Sequence, residues 1–305
     1  MTASVEGVHA SLLPNEPRVV TPAHEAQLTE RYLLPALPAL EQFFLRLRAS
    51  LDSLLRQALP VKLGKPYPLG QCLEISQAAE RCLVQLQQLR CDGEAEQGRL
   101  ALLAFMLAGG TVRQVWGDLR GEYFQNAFTV GTLYVDVSND TVFSHKPKVE
   151  ILPFDEARLV PVGDYWHFIR VAGRYWKAQV FPNHVLPELA PWFPLLVAAP
   201  GGSVRLEAAS NYMISLTCRS GFSASVAVLE ALTLGDELFA LLRQCLADST
   251  QPVAATAWQG REQAIRFCEQ YRLDPPALTP DYASGLVLRL QEANRLLQPL
   301  LVSQK

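Results

Sequence analysis

The stretch VRQVWGDLRGEYFQNAFTVGTLYVDV, residues 112–137, decides the fold. β-branched and aromatic residues dominate it, and the pairs Arg120-Gly121 and Gly131-Thr132 interrupt it at hairpin spacing. The pattern predicts three strands, Val112–Leu119, Glu122–Val130 and Leu133–Val137, joined as a meander. A glycine leading a two-residue loop suits a type II′ turn. Successive side chains of a strand point to opposite faces, so Asn126, Phe128, Val130, Leu133, Val135 and Val137 share one face. Gln125, Ala127, Thr129, Tyr134, Asp136 and Ser138 share the other, which leaves Asn126 as the one polar residue on an apolar face.

Upstream of the meander the chain reads as helices. His24 to Ala58 has a helical rhythm cut by Pro35 and Pro38, which predicts a short helix to about Leu34 and a longer one from Ala39. After a connection over residues 60–69, Gln71 to Cys91 resumes the helical period, with Cys72, Ile75, Ala79, Leu83 and Leu86 on its inward face. Gln97 to Leu107 is so apolar at its end that a wholly buried helix is expected.

Downstream, Lys148 to Val160 reads as extended. A second hairpin is expected from Asp164–Val171 and Arg174–Phe181, with His167 as a core histidine on its apolar face. Residues 182–200, rich in proline, read as a stiff loop, and Ser203–Ala208 and Tyr212–Cys218 as two further strands. Four helical segments follow: Ser223–Leu232, Gly235–Ala247, Ala254–Tyr271 and Asp281–Leu301. This order, N-terminal helices, a central mainly antiparallel sheet and C-terminal helices, argues the α+β class. The predicted organisation is a poorly ordered arm over 1–22, an α+β core over 23–222 and a C-terminal helical region over 223–305.

The 305 residues carry a formal charge of −3, with 49% in the hydrophobic set. That balance supports a globular chain with no general attraction to nucleic acid or to an anionic membrane. No signal-peptide core and no apolar run of about 18 residues occurs, so a cytoplasmic location is expected. Six cysteines lack any Cys-x-x-Cys pair, and five histidines lack metal-ligand spacing. No cofactor and no metal is therefore expected.

The residues that carry candidate chemistry are Gly70-Gln71-Cys72. A thiol reacts as thiolate, and the first turn of a helix offers unpaired N–H groups and a partial positive charge that lower its pKa. Gln71 beside it could aim an amide N–H at a developing oxyanion. Over about residues 66 to 140 the chain resembles the papain-like and transglutaminase-like cysteine folds, in which a nucleophilic cysteine begins a helix and a histidine and an aspartate follow on adjacent antiparallel strands. In transglutaminase-like members the base stands in His-Ala-Trp or His-Ala-Phe, and the acid in a stretch like Tyr-Val-Asp-Val. The matching stretches here are Asn126-Ala127-Phe128 and Tyr134-Val135-Asp136-Val137.

The resemblance implies Cys72 as nucleophile and Asp136 as the acid, with Asn126 where the histidine belongs. An amide cannot take a proton from a thiol. Two function classes follow. One is a Cys72-dependent acyltransferase or amide hydrolase acting on a small-molecule or peptide acyl substrate, with His145 or His167 supplying the base, or the same fold in degenerate form. The other is a non-catalytic interaction or scaffold protein that binds a protein partner through the aromatic surface of its sheet.

Overall fold

The computed structural model describes residues 11–19, 22–62, 64–207 and 211–301. The chain divides into two compact units, one of residues 15–161 and one of residues 162–305 with the described residues 11–14. Residues 1–10 of the expected arm lie outside the described residues. Its described part is tied down: the Trp116 amide donates to the Asn15 carbonyl at 2.9 Å, and the Arg113 guanidinium to the Glu16 carbonyl at 2.7 Å.

The Asn15–Pro161 unit begins with α1 (Pro22–Leu28), a π turn over Thr29–Leu33, a 3-10 turn over Leu34–Ala36 and α2 (Leu37–Ala58). Pro35 and Pro38 divide the helical path close to where expected: Ala36 leaves the helical region at φ −111° and ψ 17°, and α2 starts at Leu37 with Pro38 in its first turn, where the missing N–H has no partner to lose. The short strands β1 (Val61–Lys62) and β2 (Lys65–Pro66) lead into α3 (Cys72–Val84) and α4 (Gly93–Leu107). Phe43, Phe44, Leu47 and Leu51 of α2 share a core with Ile75, Ala79 and Leu83 of α3 and with Leu102 and Phe105 of α4. α4 is not wholly buried, because Leu100 and Leu107 face solvent. α4 crosses α2 closely at Gly98, where an added Cβ would lie 2.0 Å from the Ala39 carbonyl oxygen.

The meander follows as β3 (Val112–Leu119), β4 (Tyr123–Val130) and β5 (Leu133–Asp136), within a residue of the predicted strands. Its register pairs Trp116 with Asn126 and Phe128 with Val135. Arg120 and Gly121 both take positive φ, and Gly131 leads its turn at φ 60°. A 3-10 turn (Asn139–Thr141), β6 (Glu150–Pro153), α5 (Phe154–Ala157) and β7 (Leu159–Val160) complete a five-stranded antiparallel sheet in the order β6-β5-β4-β3-β7. α5 joins the two outermost strands, so the sheet curls. Phe128, Val130, Leu133, Val135 and Val137 turn one face into the α2–α4 core. The sheet is not the open aromatic surface expected of a docking face: every residue of β4 is buried, as is Tyr134, and Trp116 stacks on Phe124 at 5.2 Å.

In the Val162–Lys305 unit the expected second hairpin is absent. Tyr165–Tyr175 forms helix α6, capped by Asp164, whose carboxylate accepts the His167 amide at 2.7 Å. The buried residues Tyr165, Phe168, Val171 and Ala172 follow helical steps, which overrides the alternation of Tyr165, His167, Ile169 and Val171. His167 is consequently half-buried on a helix and not in a sheet core. A three-stranded sheet in the order β10-β9-β8 follows, from β8 (Gln179–Pro182), β9 (Leu195–Ala198) and β10 (Val204–Leu206). β9 lies within the segment read as a loop.

The expected strand at Tyr212–Cys218 is helix α7 (Asn211–Arg219), burying Tyr212, Met213, Leu216 and Thr217. Then come α8 (Ser223–Ala231), α9 (Asp236–Cys245), α10 (Ala257–Leu273) and α11 (Pro280–Leu297), close to the four helices predicted. Their apolar faces close a second core with Trp192 and Phe193. The whole remains α+β, with helices at both ends of an antiparallel sheet. None of the described helices is long and apolar enough to cross a membrane.

Candidate functional site

Cys72 is the first residue of α3, as the turn residues before it dictate. Gly70 sits at φ 74°, a conformation that favours glycine, and its amide donates to the Thr141 carbonyl at 2.8 Å. That bond places the helix start against the segment that follows β5.

The thiol and Asn126 meet. The Asn126 Nδ2 donates to the Cys72 Sγ at 3.4 Å, and the Asn126 backbone carbonyl accepts from the Ser76 hydroxyl at 3.2 Å, with the Ser138 Oγ also 3.2 Å away. Cys72 is half-buried as a residue, and burial pushes its thiol up from the ordinary value. The Asn126 hydrogen bonds pull the other way, and the Asp136 carboxylate adds to the rise. Desolvation of the thiol thus works against the helix terminus, with the net direction upward.

Gln71 is fully buried, but its Nε2 donates to the Leu59 carbonyl at 3.0 Å. One of its two amide N–H groups is thus engaged by the end of α2. Asp136 turns to the other face of the hairpin, as the alternation requires. Its carboxylate accepts from the Gln125 Nε2 at 2.6 Å, the Tyr134 hydroxyl at 3.1 Å, and the Ser138 amide and hydroxyl at 2.7 and 2.9 Å. The structure joins Cys72 to Asn126 and Asp136 to Gln125, two pairs on alternate side chains of β4.

Burial pushes the Asp136 carboxyl up to about 6 from an ordinary 3.8, although the four donated bonds favour the charged form. A carboxyl that holds its proton more tightly when folded adds stability that is complete below the ordinary value. That stability is lost as pH rises through about 6. Relative to Asp136→Asn, the wild type is expected to lose about 2 kcal/mol between pH 4.5 and about pH 7.5. Paired urea titrations at the two pH values check this, and a difference that stays constant with pH contradicts it.

Three of the histidines lie against other groups. His145 is exposed and tilted against Phe143, with ring centroids 5.8 Å apart. The His167 Nδ1 accepts the Gly163 amide at 3.3 Å, and the His184 Nε2 lies 2.9 Å from the Leu229 carbonyl. Among the described residues no group of three or more His, Cys, Asp or Glu is placed to hold a metal ion.

An ionic cluster beside the site has no counterpart in the sequence reading. Arg48 of α2 is buried and makes a two-pronged contact to Asp140 at 2.8 and 3.2 Å. It also donates to Asp52 at 2.6 Å and to the Val137 carbonyl at 2.7 Å. Asp52 in turn accepts the Tyr67 hydroxyl at 2.6 Å and pairs with Lys148. Burial works against both charges, but these bonds hold Asp52 below its usual range and keep Arg48 protonated. The cluster ties α2 to the turn before Cys72 and to the chain leaving β5. Partners 89 and 92 residues apart leave no local signal.

Comparison of the chain with family models, with curated proteins and with solved structures returned no match.

Proposed function

We propose that this chain is a non-catalytic interaction protein, in which the Cys72 helix and the Asn126–Asp136 hairpin serve as a rigid frame of transglutaminase-like kind without its reaction. The observation that carries the reading is the Asn126 Nδ2 donating to the Cys72 sulfur. A nucleophilic thiol needs an acceptor for its proton at that point, and an amide N–H is a donor. The thiol is held up in pKa by burial, which keeps it protonated near neutral pH. Asp136, with its four donors, is a buried structural acceptor between β4 and β5 rather than the orienting partner of a base.

Limiting iodoacetamide followed by peptide mapping tests this. Cys72 is expected to alkylate no faster near neutral pH than the other partly buried cysteines, Cys82, Cys91, Cys218 and Cys245. Labelling of Cys72 about tenfold ahead of them would restore the enzyme reading.

A further inference from the structure

The face around the turn into Cys72 combines a local positive charge with exposed apolar side chains. Residues 48–74 and 140–148 hold six cations (Arg48, Arg56, Lys62, Lys65, Lys146 and Lys148) against three carboxylates (Asp52, Glu74 and Asp140), in a chain whose formal charge is −3. All three carboxylates are engaged within the face, Asp52 and Asp140 by Arg48 and Glu74 by Lys62. The positive surplus therefore reaches the surface, where Arg56 and Lys65 are exposed. The hydrogen bond from Gly70 to Thr141 makes the two segments one face. Among these charges Leu59, Val61, Leu73 and Phe143 are 39 to 59% exposed. Along α2, Ala49, Asp52, Ser53, Arg56 and Gln57 border an open, shallow region.

We propose that this face binds a short acidic protein segment carrying apolar side chains, an inference that rests on the non-catalytic reading above. Interspersed cations and apolar side chains complement a segment in which carboxylates alternate with leucine-type residues. An extended polyanion such as a membrane or a nucleic acid is the poorer fit. It spreads over a surface wider than this face, and the chain as a whole carries a formal charge of −3.

Fluorescence anisotropy on the full chain tests the assignment with a labelled peptide of alternating leucine and glutamate. Its lysine counterpart and vesicles of mixed phosphatidylserine and phosphatidylcholine are the comparison probes. The acidic peptide is expected to bind and the basic one not, with affinity falling about tenfold between about 50 and about 300 mM salt. Arg56→Glu with Lys65→Glu should weaken binding about tenfold, while Arg170→Glu with Arg266→Glu, an equal charge change at exposed positions of the other unit, should weaken it far less. Circular dichroism verifies the fold of each variant.

Failure of the acidic peptide to bind, equal binding of both peptides, equal losses in the two double variants, or vesicles capturing the chain as strongly as the acidic peptide would each overturn the proposal. The last result would assign the face to lipid. Alkylation of Cys72 in the same samples reads the non-catalytic proposal separately, since fast labelling with peptide binding intact would sink that reading alone.

Discussion

Replacing Arg48 by methionine is expected to destabilise the Asn15–Pro161 unit by about 3 to 5 kcal/mol, the range for removing one partner of a buried ion pair. Methionine fills nearly the same volume, so the loss is electrostatic. Asp140, which is buried, would be left without its two guanidinium bonds, and the Val137 carbonyl without its donor. Asp52 keeps Tyr67 and Lys148 and suffers less. Adding Asp140→Leu to Arg48→Met should recover much of the loss, because the desolvated charge goes with its partner. Hydrogen exchange of the β4 amides, followed in urea, reads the stability of this unit separately from the other. A loss below about 1 kcal/mol would mean that the cluster is solvated like a surface pair.

Gly260→Ala is expected to cost the Val162–Lys305 unit at least about 3 kcal/mol, at the upper end of the range for overpacking. Two effects oppose each other. Alanine favours a helix over glycine by about 1 kcal/mol, and Gly260 lies inside α10. Against that, the added Cβ would stand 1.7 Å from the His184 carbonyl oxygen and 2.8 Å from its carbon. Both atoms belong to the backbone and cannot rotate away, so the clash wins. Gly163→Ala is the control, because its added Cβ meets nothing within 4 Å. Protection of the α10 amides should fall in the first variant and hold in the second. Equal protection in both would show that α10 can move off the residue 184 backbone at little cost.

The meander and the Cys72 turn were legible because their signals are local. In β4 and β5, alternation and glycine turns place every side chain within a few residues of sequence, and the separation of Asn126 from Asp136 follows from counting. The same rule misread α6, where alternate apolar residues happen to coincide with a helical stripe. Asp164 was the available signal: a capping residue directly before Tyr165, three residues ahead of an amide it could accept. β9 was hidden by the prolines around it. A strand in the middle of a three-stranded sheet needs only four residues, Leu195–Ala198, and the prolines lie outside them.

For the site, the meeting of Cys72 with Asn126 was legible, but the packing around the thiol was not. A helix start acts within one turn of sequence, whereas desolvation of the thiol comes from packing that assembles distant segments. The partner of Gln71 was hidden for the same reason, since the carbonyl that takes one of its N–H groups belongs to Leu59 at the end of α2. Arg48 was invisible because an arginine among the apolar residues of an amphipathic helix reads as a solvated position until its partners arrive.

The rate of Cys72 alkylation as a function of pH, resolved by peptide mapping, bears most directly on the central claim that this thiol is a buried structural group. The rate should rise only at alkaline pH, with a midpoint above the ordinary thiol value of 9.0, as burial against an amide donor requires. A midpoint at or below about 7 would show a thiolate stabilised by a base or cation, and would contradict the account.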